Sequence, residues 1–518
     1  MMAVGACPGE PGTTETSGSE SETGCEPGTL DCQCRPDQTC DGGLLCASNT
    51  CIENPQATTT GPVTTTSSAT MGTSSEGTTE TSTEGPTTTS DTSVEPECDP
   101  GMGTANNPAC VDRPGLPYCS AEGECVSCSE IACAQATPST PVCDAESGRC
   151  EQCTADDASA CAGKTPVCDA AAMKCVPCVE HGECASGACH IEEGSCFPPK
   201  ELWVNKAAAG CAAGDGSMAS PFCEIDEAVK KVGLNDPTII RVLPAASAYT
   251  TPVAVPESRV VAIFRHGDGK TLARLDVISA SALSVGAGSA VYVDGLAIGG
   301  SVNIRGVSCN DAALWLDRSE VEGRKEVGID GSGCDLRVRR SQVAANTIGG
   351  IRLKGGGSLR LENSFVVDNG NFGSAFGGVS LEGGVSASIV YASIIANNVQ
   401  AGGAASLACG AGDKVEVRNS IVIAEPGKTS VTCEPAAVNY SAIDASKYVG
   451  MGTTNTKIET LNPGWFKDIG SYDYHLAPVT PFKDVALWAA GYPTVDFDGN
   501  ARPKGTMLNQ DYAGADVP

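Results

Sequence analysis

The chain has 518 residues, with 63 acidic against 33 basic side chains and a formal net charge of -30. That field repels a phosphate backbone and argues against nucleic acid as a partner, and no run approaches the roughly 18–20 apolar residues of a membrane span. Aromatics at 4% and 61 glycines point away from an ordinary α/β enzyme core and toward thin, repetitive β-architecture with many turns.

The chain begins MMAVGACPGE, and Cys7 is the first of 29 cysteines. They fall into groups of seven, sixteen and six; with Cys7 set aside every group is even, as pairing within modules requires. So many thiols beside four histidines indicate disulfides in an oxidising compartment rather than zinc sites. The stretch Val4–Cys7 resembles a bacterial lipobox, in which a cysteine behind small residues is acylated. The resemblance implies that Cys7 carries a lipid, that an apolar signal segment precedes Met1, and that the protein is held at an outer-membrane or extracellular surface.

Residues 1–24 continue as a polar tether with too little apolar surface to offset chain entropy. Residues 25–51 hold six cysteines in a segment too short for a hydrophobic core, so crosslinks must hold it. Residues 52–97 are almost pure Thr, Ser, Gly, Pro and Glu, a disordered linker whose ends average about 40 Å apart as a free coil.

Residues 98–200 repeat. LPYCSAEGECVSC, TPVCDAESGRCEQC and TPVCDAAAMKCVPC place Cys119, Cys143 and Cys168 at steps of 24 and 25, each followed by a C-x2-C, and GACHIEEGSC closes the array as a shorter unit. The array resembles the short cysteine repeats of myxobacterial extracellular proteins, which implies a spacer or binding surface rather than a catalyst. His181 and His190 read here as solvated loop residues.

From residue 201 the texture changes. A glycine-rich turn leads to a short helix with Ile225, Ala228, Val229 and Val232 on one face, placed to plug the end of a β-structure. Then the pattern apolar-x-apolar-x-x-Ser-x-apolar recurs in LWLDRSEV, LRVRRSQV, LRLENSFV, SIVYASII and VEVRNSIV. The serines are Ser319, Ser341, Ser364, Ser393 and Ser420, at steps of 22, 23, 29 and 27. A second register runs between them through Ile329, Ile351 and Val379. Two alternating registers with this period predict an all-β domain, a parallel β-helix with coils about 4.8 Å apart. A β-sandwich would need hairpins every 8–12 residues instead. The predicted inward set is Leu314/Leu316, Leu336/Val338, Leu359/Leu361, Val390 and Val415/Val417. These motifs, the DGSMASPFCEIDEAV opening and the closing segment from Tyr474 resemble the right-handed parallel β-helix (pectin-lyase-like) superfamily, which implies a right-handed coil. That resemblance covers residues 202–518 and implies fold more than activity, since the fold hosts lyases, hydrolases, adhesins and structural proteins.

Two outward columns are expected, Asp317, Arg339, Glu362, Tyr391 and Arg418 in one, and Trp315, Arg337, Arg360, Ile389 and Glu416 in the other. Trp315 and Tyr391 are candidates to stack on sugar rings; Arg337, Arg339 and Arg360 are candidates to hold uronate carboxylates. The plainer reading of the same columns is a solvated charge ladder. In the second register Asp330, Arg352 and Ser380 should stack, with Lys354 near Glu382. No set of close carboxylates presents itself as catalytic, and His266 and His475 read as isolated. Asp496, Asp498 and Asn500 in DFDGN have the spacing of a calcium loop but lack its later ligands, so a turn is expected, with no metal or other cofactor and calcium the weak exception. Cys211–Cys223, Cys309–Cys334 and Cys409–Cys433 are the expected disulfides of this domain, the last two one rung apart. The function expected from the whole is a surface-anchored or secreted protein that binds a polysaccharide or a surface protein without catalysis. The alternative is a polysaccharide lyase or glycoside hydrolase acting on acidic polysaccharide.

Overall fold

A computed structural model describes residues 44–47, 50–53, 96–100, 107–267, 271–300, 305–433, 436–444 and 454–518. Cys7 and its tether, most of the first cysteine cluster and nearly all of the Thr/Ser-rich stretch lie outside the described residues. The chain divides into two compact units, Met1–Thr92 and Ser93–Pro518. In the first, Leu44–Ala47 pairs antiparallel with Thr50–Glu53.

The second unit opens with four cysteine modules. Each is a small antiparallel hairpin (the first pairs Tyr118–Cys119 with Cys125–Val126) held by two interleaved disulfides. The bonds are Cys98–Cys119 with Cys110–Cys125, Cys128–Cys143 with Cys133–Cys150, Cys153–Cys168 with Cys161–Cys175, and Cys178–Cys189 with Cys184–Cys196. Each C-x2-C therefore straddles a module border: one thiol closes the module behind it and the other opens the next. The segment ending in Cys196 is a full module with both bonds.

The remainder is a parallel β-helix. Among the described residues, successive coils contribute one strand each to parallel sheets of ten, eight and nine strands. The ten-stranded sheet runs from Glu201–Val204 through Ala313–Asp317, Asp335–Arg339, Ser358–Glu362, Ser386–Val390 and Lys414–Arg418 to Ala436–Asn439. The eight-stranded sheet includes Val307–Asn310, Val327–Ser332, Gly349–Lys354 and Val379–Glu382; the nine-stranded sheet includes Glu320–Glu322, Gln342–Ala344, Phe365–Val367 and Ser393–Asn397. Every described strand pair between residues 290 and 440 is parallel.

Inward residues stack in columns. Leu314, Leu336, Leu359, Ala387 and Val415 form one and Leu316, Val338, Leu361, Ile389 and Val417 the next, all buried. The fourth coil corrects the sequence reading by one residue: Ala387 and Ile389 point inward, not Val390. The outward columns become Asp317, Arg339, Glu362, Val390, Arg418 and Trp315, Arg337, Arg360, Ser388, Glu416. The second register stacks Ile329, Ile351 and Val379, Asp330 with Arg352 and Ser380, and Lys354 with Glu382. Helix Ile225–Val229 carries a Glu224/Glu227 capping box and buries Ile225, Ala228 and Val229 against the first coils.

The corners show why the motif carries a serine. Its preceding residue takes the left-handed backbone conformation in each coil, at Arg318, Arg340, Asn363, Tyr391, Asn419 and Tyr440, and the chain turns there into the nine-stranded sheet. The serine hydroxyl then meets corner groups that the turn leaves over. Ser341 Oγ accepts from Ser319 N and donates to Arg339 O; Ser364 Oγ accepts from Ser341 N and donates to Glu362 O. At the fourth coil the position is held by Ala392, not Ser393. A second corner is filled by a buried asparagine ladder, Asn346, Asn369 and Asn397, each side-chain oxygen accepting from the coil below.

Three disulfides hold this domain, Cys211–Cys223, Cys309–Cys334 and Cys409–Cys433. The second lies in the core, and Gly331 is beside it because any Cβ there would come within 2.4 Å of Leu353 and 3.0 Å of Cys334. Residues 463–518 fold back along the flank. Phe466, Tyr474, Leu476, Phe482, Ala513 and Ala515 cover Phe365, Val367, Tyr391, Ile395, Ile421 and Ile423.

Candidate ligand groove

The last cysteine module sits on the outer face of the ten-stranded sheet. His181 stacks on Phe264 with ring centroids 4.4 Å apart, and its Nδ1 accepts from Cys189 N. His190 Nδ1 is 2.9 Å from the Tyr292 hydroxyl, and Phe197 and Trp315 pack edge-on to the same Tyr292 ring. Both histidines are thus buried interface residues rather than solvated ones. Burial holds the His181 imidazole down to about 4, and that of His190 below its usual range.

This docking changes what the outward columns can do. Trp315 lies in the interface, edge-on to Tyr292 at 4.7 Å and under the Arg337 guanidinium at 5.3 Å, so it offers no open ring face to a sugar. Tyr391 is fully buried on the other side of the corner, with Arg502 over its ring at 4.1 Å. The two aromatic candidates therefore leave the site, and the three arginines remain together.

They floor a groove of about 570 Å³. One wall is Val179, Glu180 and Ile191 of the last module; the other is the segment 491–495 of the closing region; Arg337, Arg339, Arg340, Arg360 and Glu362 lie between. Asn363 Nδ2 donates to Val495 O at 2.7 Å and ties the second wall to a corner of the β-helix. At Arg360 the groove passes into a shallower one of about 580 Å³ over Ser358, Ser386, Ser388, Lys414 and Glu416.

The charges are paired in layers. Asp317, buried, takes Arg340 Nη2 at 2.5 Å and Arg339 Nη2 at 2.8 Å. Burial works to raise its carboxyl, but the Arg340 hydrogen bond and the two guanidinium charges outweigh it and hold the group well below the usual range. Glu362, also buried, bridges Arg337 Nη2 at 3.1 Å and Arg360 at 2.7 Å. Glu180 reaches across from the module to Arg339. Four guanidinium groups thus face three carboxylates. Arg360 is 51% exposed and presents its outer edge to the groove. Arg337 Nε is buried with no hydrogen-bond partner among the described residues, and burial lowers that group's pKa. Arg418 lies between the Tyr440 and Tyr492 rings.

Sequence reasoning found Arg337, Arg339 and Arg360 but not Glu180, Arg340 or the 491–495 wall. The doublet Arg339–Arg340 was the one local signal; the walls come from segments over a hundred residues away.

Residues 89–202 match a family of unknown function, DUF8331. No curated protein matches. Among solved structures, pectate lyase Pel9A is 13% identical with a TM-score of 0.31, over 61% of this chain and 96% of that one. A rhamnogalacturonan lyase is 9% identical with a TM-score of 0.23, over 60% and 96%. A protein of Geobacillus virus E2, ORF18, is 9% identical with a TM-score of 0.24, over 47% and 60%. The strand ladders carry the fold assignment.

Proposed function

We propose that this chain is a secreted or surface-held protein that binds an acidic polysaccharide in the arginine-floored groove without cleaving it. The observation that carries the reading is a local excess of guanidinium groups in a chain of net charge -30. Arg360 and the serines beyond it offer forked donors and hydroxyls to carboxylate and hydroxyl groups, and the space fits a bound oligomer. Binding is favoured over catalysis by the state of the carboxylates. A general acid or base works best with its pKa near the working pH, whereas Asp317 is buried, locked between two arginines and held ionised. Eleven disulfides among the described residues suit an oxidising, extracellular setting. Acylation of Cys7 supplies the membrane attachment in this reading, and a polysaccharide or a surface protein bearing uronate-like acids is the partner.

The test is affinity electrophoresis and column retention of the purified chain on polygalacturonate, alginate and neutral dextran. Retention on an acidic polymer that weakens with salt, is absent on dextran and is reduced in Arg360→Glu supports the proposal. Arg360 is half-exposed and Glu362 keeps Arg337 as a partner, and near-ultraviolet circular dichroism checks that the variant folds. Chain shortening or new unsaturated ends would move the protein to the lyase or hydrolase reading, and no retention on any acidic polymer would remove the glycan reading.

A further inference from the structure

The closing region brings together a histidine and three aspartates from segments far apart in sequence. His475 stands on strand Asp473–Leu476, Asp498 on the turn that follows Asp496, and Asp516 two residues from the final proline. Asp473 Oδ1 lies 2.5 Å from His475 Nδ1 and also accepts the backbone N–H of His475. A proton on Nδ1, donated to Asp473, leaves the Nε2 lone pair to a ligand. Nε2 is secluded from solvent and makes no hydrogen bond among the described residues. It faces Asp498 Oδ2 at 3.3 Å, and Nε2, an Asp498 oxygen and an Asp516 oxygen all lie within 4.8 Å of one another. Phe365 and Phe497 hold the imidazole in place, with ring centroids 5.3 and 5.4 Å away.

Nε2 and the two carboxylate oxygens are a set of three donor atoms, close enough for one cation to bridge. We infer that His475, Asp498 and Asp516 bind a divalent zinc ion, with Asp473 as the carboxylate that orients the imidazole. A carboxylate that accepts the far N–H of a metal-bound histidine and fixes its ring is the usual setting of zinc histidines. Zinc bonds of about 2.0–2.2 Å to nitrogen and oxygen place tetrahedral ligand atoms roughly 3.3 Å apart. That matches the His475–Asp498 separation, and the half-exposed Asp498 has room to close the rest. Calcium is disfavoured by the imidazole and by the small number of oxygens. Asp496 is not available to either ion, since its oxygens accept from the N–H groups of Asp498, Asn500 and Val517. The ion would join three segments of the closing region next to the groove wall at 491–495. The site is separate from the proposed glycan groove and does not depend on it.

The test uses the full, disulfide-intact chain with any free thiol alkylated, so that thiolate cannot contribute. Calorimetric titration with zinc chloride is expected to give one saturable site, and zinc but not calcium is expected to raise the thermal midpoint. His475→Gln should weaken binding about 100-fold, and Asp473→Asn about 10-fold through the second shell. His266→Gln should leave it unchanged, and near-ultraviolet circular dichroism without metal should show that all three variants fold. X-ray absorption of the zinc-loaded chain should show one imidazole in the first shell. No saturable binding, binding insensitive to His475→Gln, or equal response to calcium would overturn the inference.

Discussion

Glu180, in the last cysteine module, grips Arg339 of the β-helix with both carboxylate oxygens, and Arg339 in turn holds Asp317 beneath it. The three residues form one stack that runs from an exposed edge to a buried carboxylate. The module is thereby part of the groove, not a spacer in front of it.

The depth of each member sets its worth. Glu180 is 45% exposed, so Glu180→Ala should lower stability by only about 0–1 kcal/mol. Asp317→Ala removes the buried partner of Arg339 and Arg340, leaves them only the exposed Glu180, and should cost about 3–5 kcal/mol. Urea unfolding with disulfides intact measures both, and equal losses would contradict the layered pairing.

Docking of the module should depend on pH through His181. Its ordinary value is 6.5, and burial lowers it to about 4 in the folded chain, against raising influences from Asp294, Asp317 and Glu180 and a lowering one from Arg339. Between those values the released or unfolded state holds the extra proton. Docking stability is therefore full above pH 6.5 and lost as pH falls through 4, by at most about 3 kcal/mol. Protection factors of residues 178–197, taken against the slower intrinsic exchange at low pH, should fall on acidification from pH 7 to 4.5, and His181→Phe should flatten that response.

Asp368 should act in the opposite sense. Burial pushes its carboxyl up to about 6 from 3.8, with Tyr474 donating to it at 2.5 Å. Its contribution is full below pH 3.8 and lost as pH rises through 6. Asp368→Asn keeps the acceptor and suits the left-handed backbone there. The variant should match the parent near pH 4 and exceed it by about 1–2 kcal/mol at pH 7.5, a figure discounted for partial exposure. Thermal unfolding at the two pH values decides it.

The asparagine ladder should be intolerant of gaps. Asn369 Oδ1 accepts from the Asn346 backbone and side chain, and its Nδ2 donates to Val343 O and Asn397 Oδ1. Asn369→Ala leaves buried groups on both neighbouring coils without partners and should cost about 3 kcal/mol. Denaturant unfolding is the measure; a loss under about 1 kcal/mol would show that the ladder is dispensable.

The coil architecture was legible because period-2 alternation at a 22–29-residue step has few other solutions. What misled the reading was covered outside surface. In SIVYASII, Val390 is apolar at an outward position because the closing region covers it, and Ser393 receives the Ala515 N–H. An apolar residue under a lid looks like an apolar residue in the core, so the register slipped by one. The candidate site was half legible for a similar reason. The sequence showed the arginines, but the surfaces that cover Trp315 and frame the groove are brought there by tertiary packing. His181 and His190 read as solvated because the Phe264 and Tyr292 rings that cover them are distant in sequence, and His475 read as isolated because Phe365 and Asp498 reach it from other segments.

The module borders inside each C-x2-C have a further consequence. Since every described cysteine of the array bonds within its own module, adding or removing one unit of about 25 residues leaves no thiol widowed. Gene duplication or deletion at this spacing would lengthen or shorten the array in whole steps while its oxidative folding stayed the same. Only the last unit is fixed, because it alone carries the two histidines and Glu180.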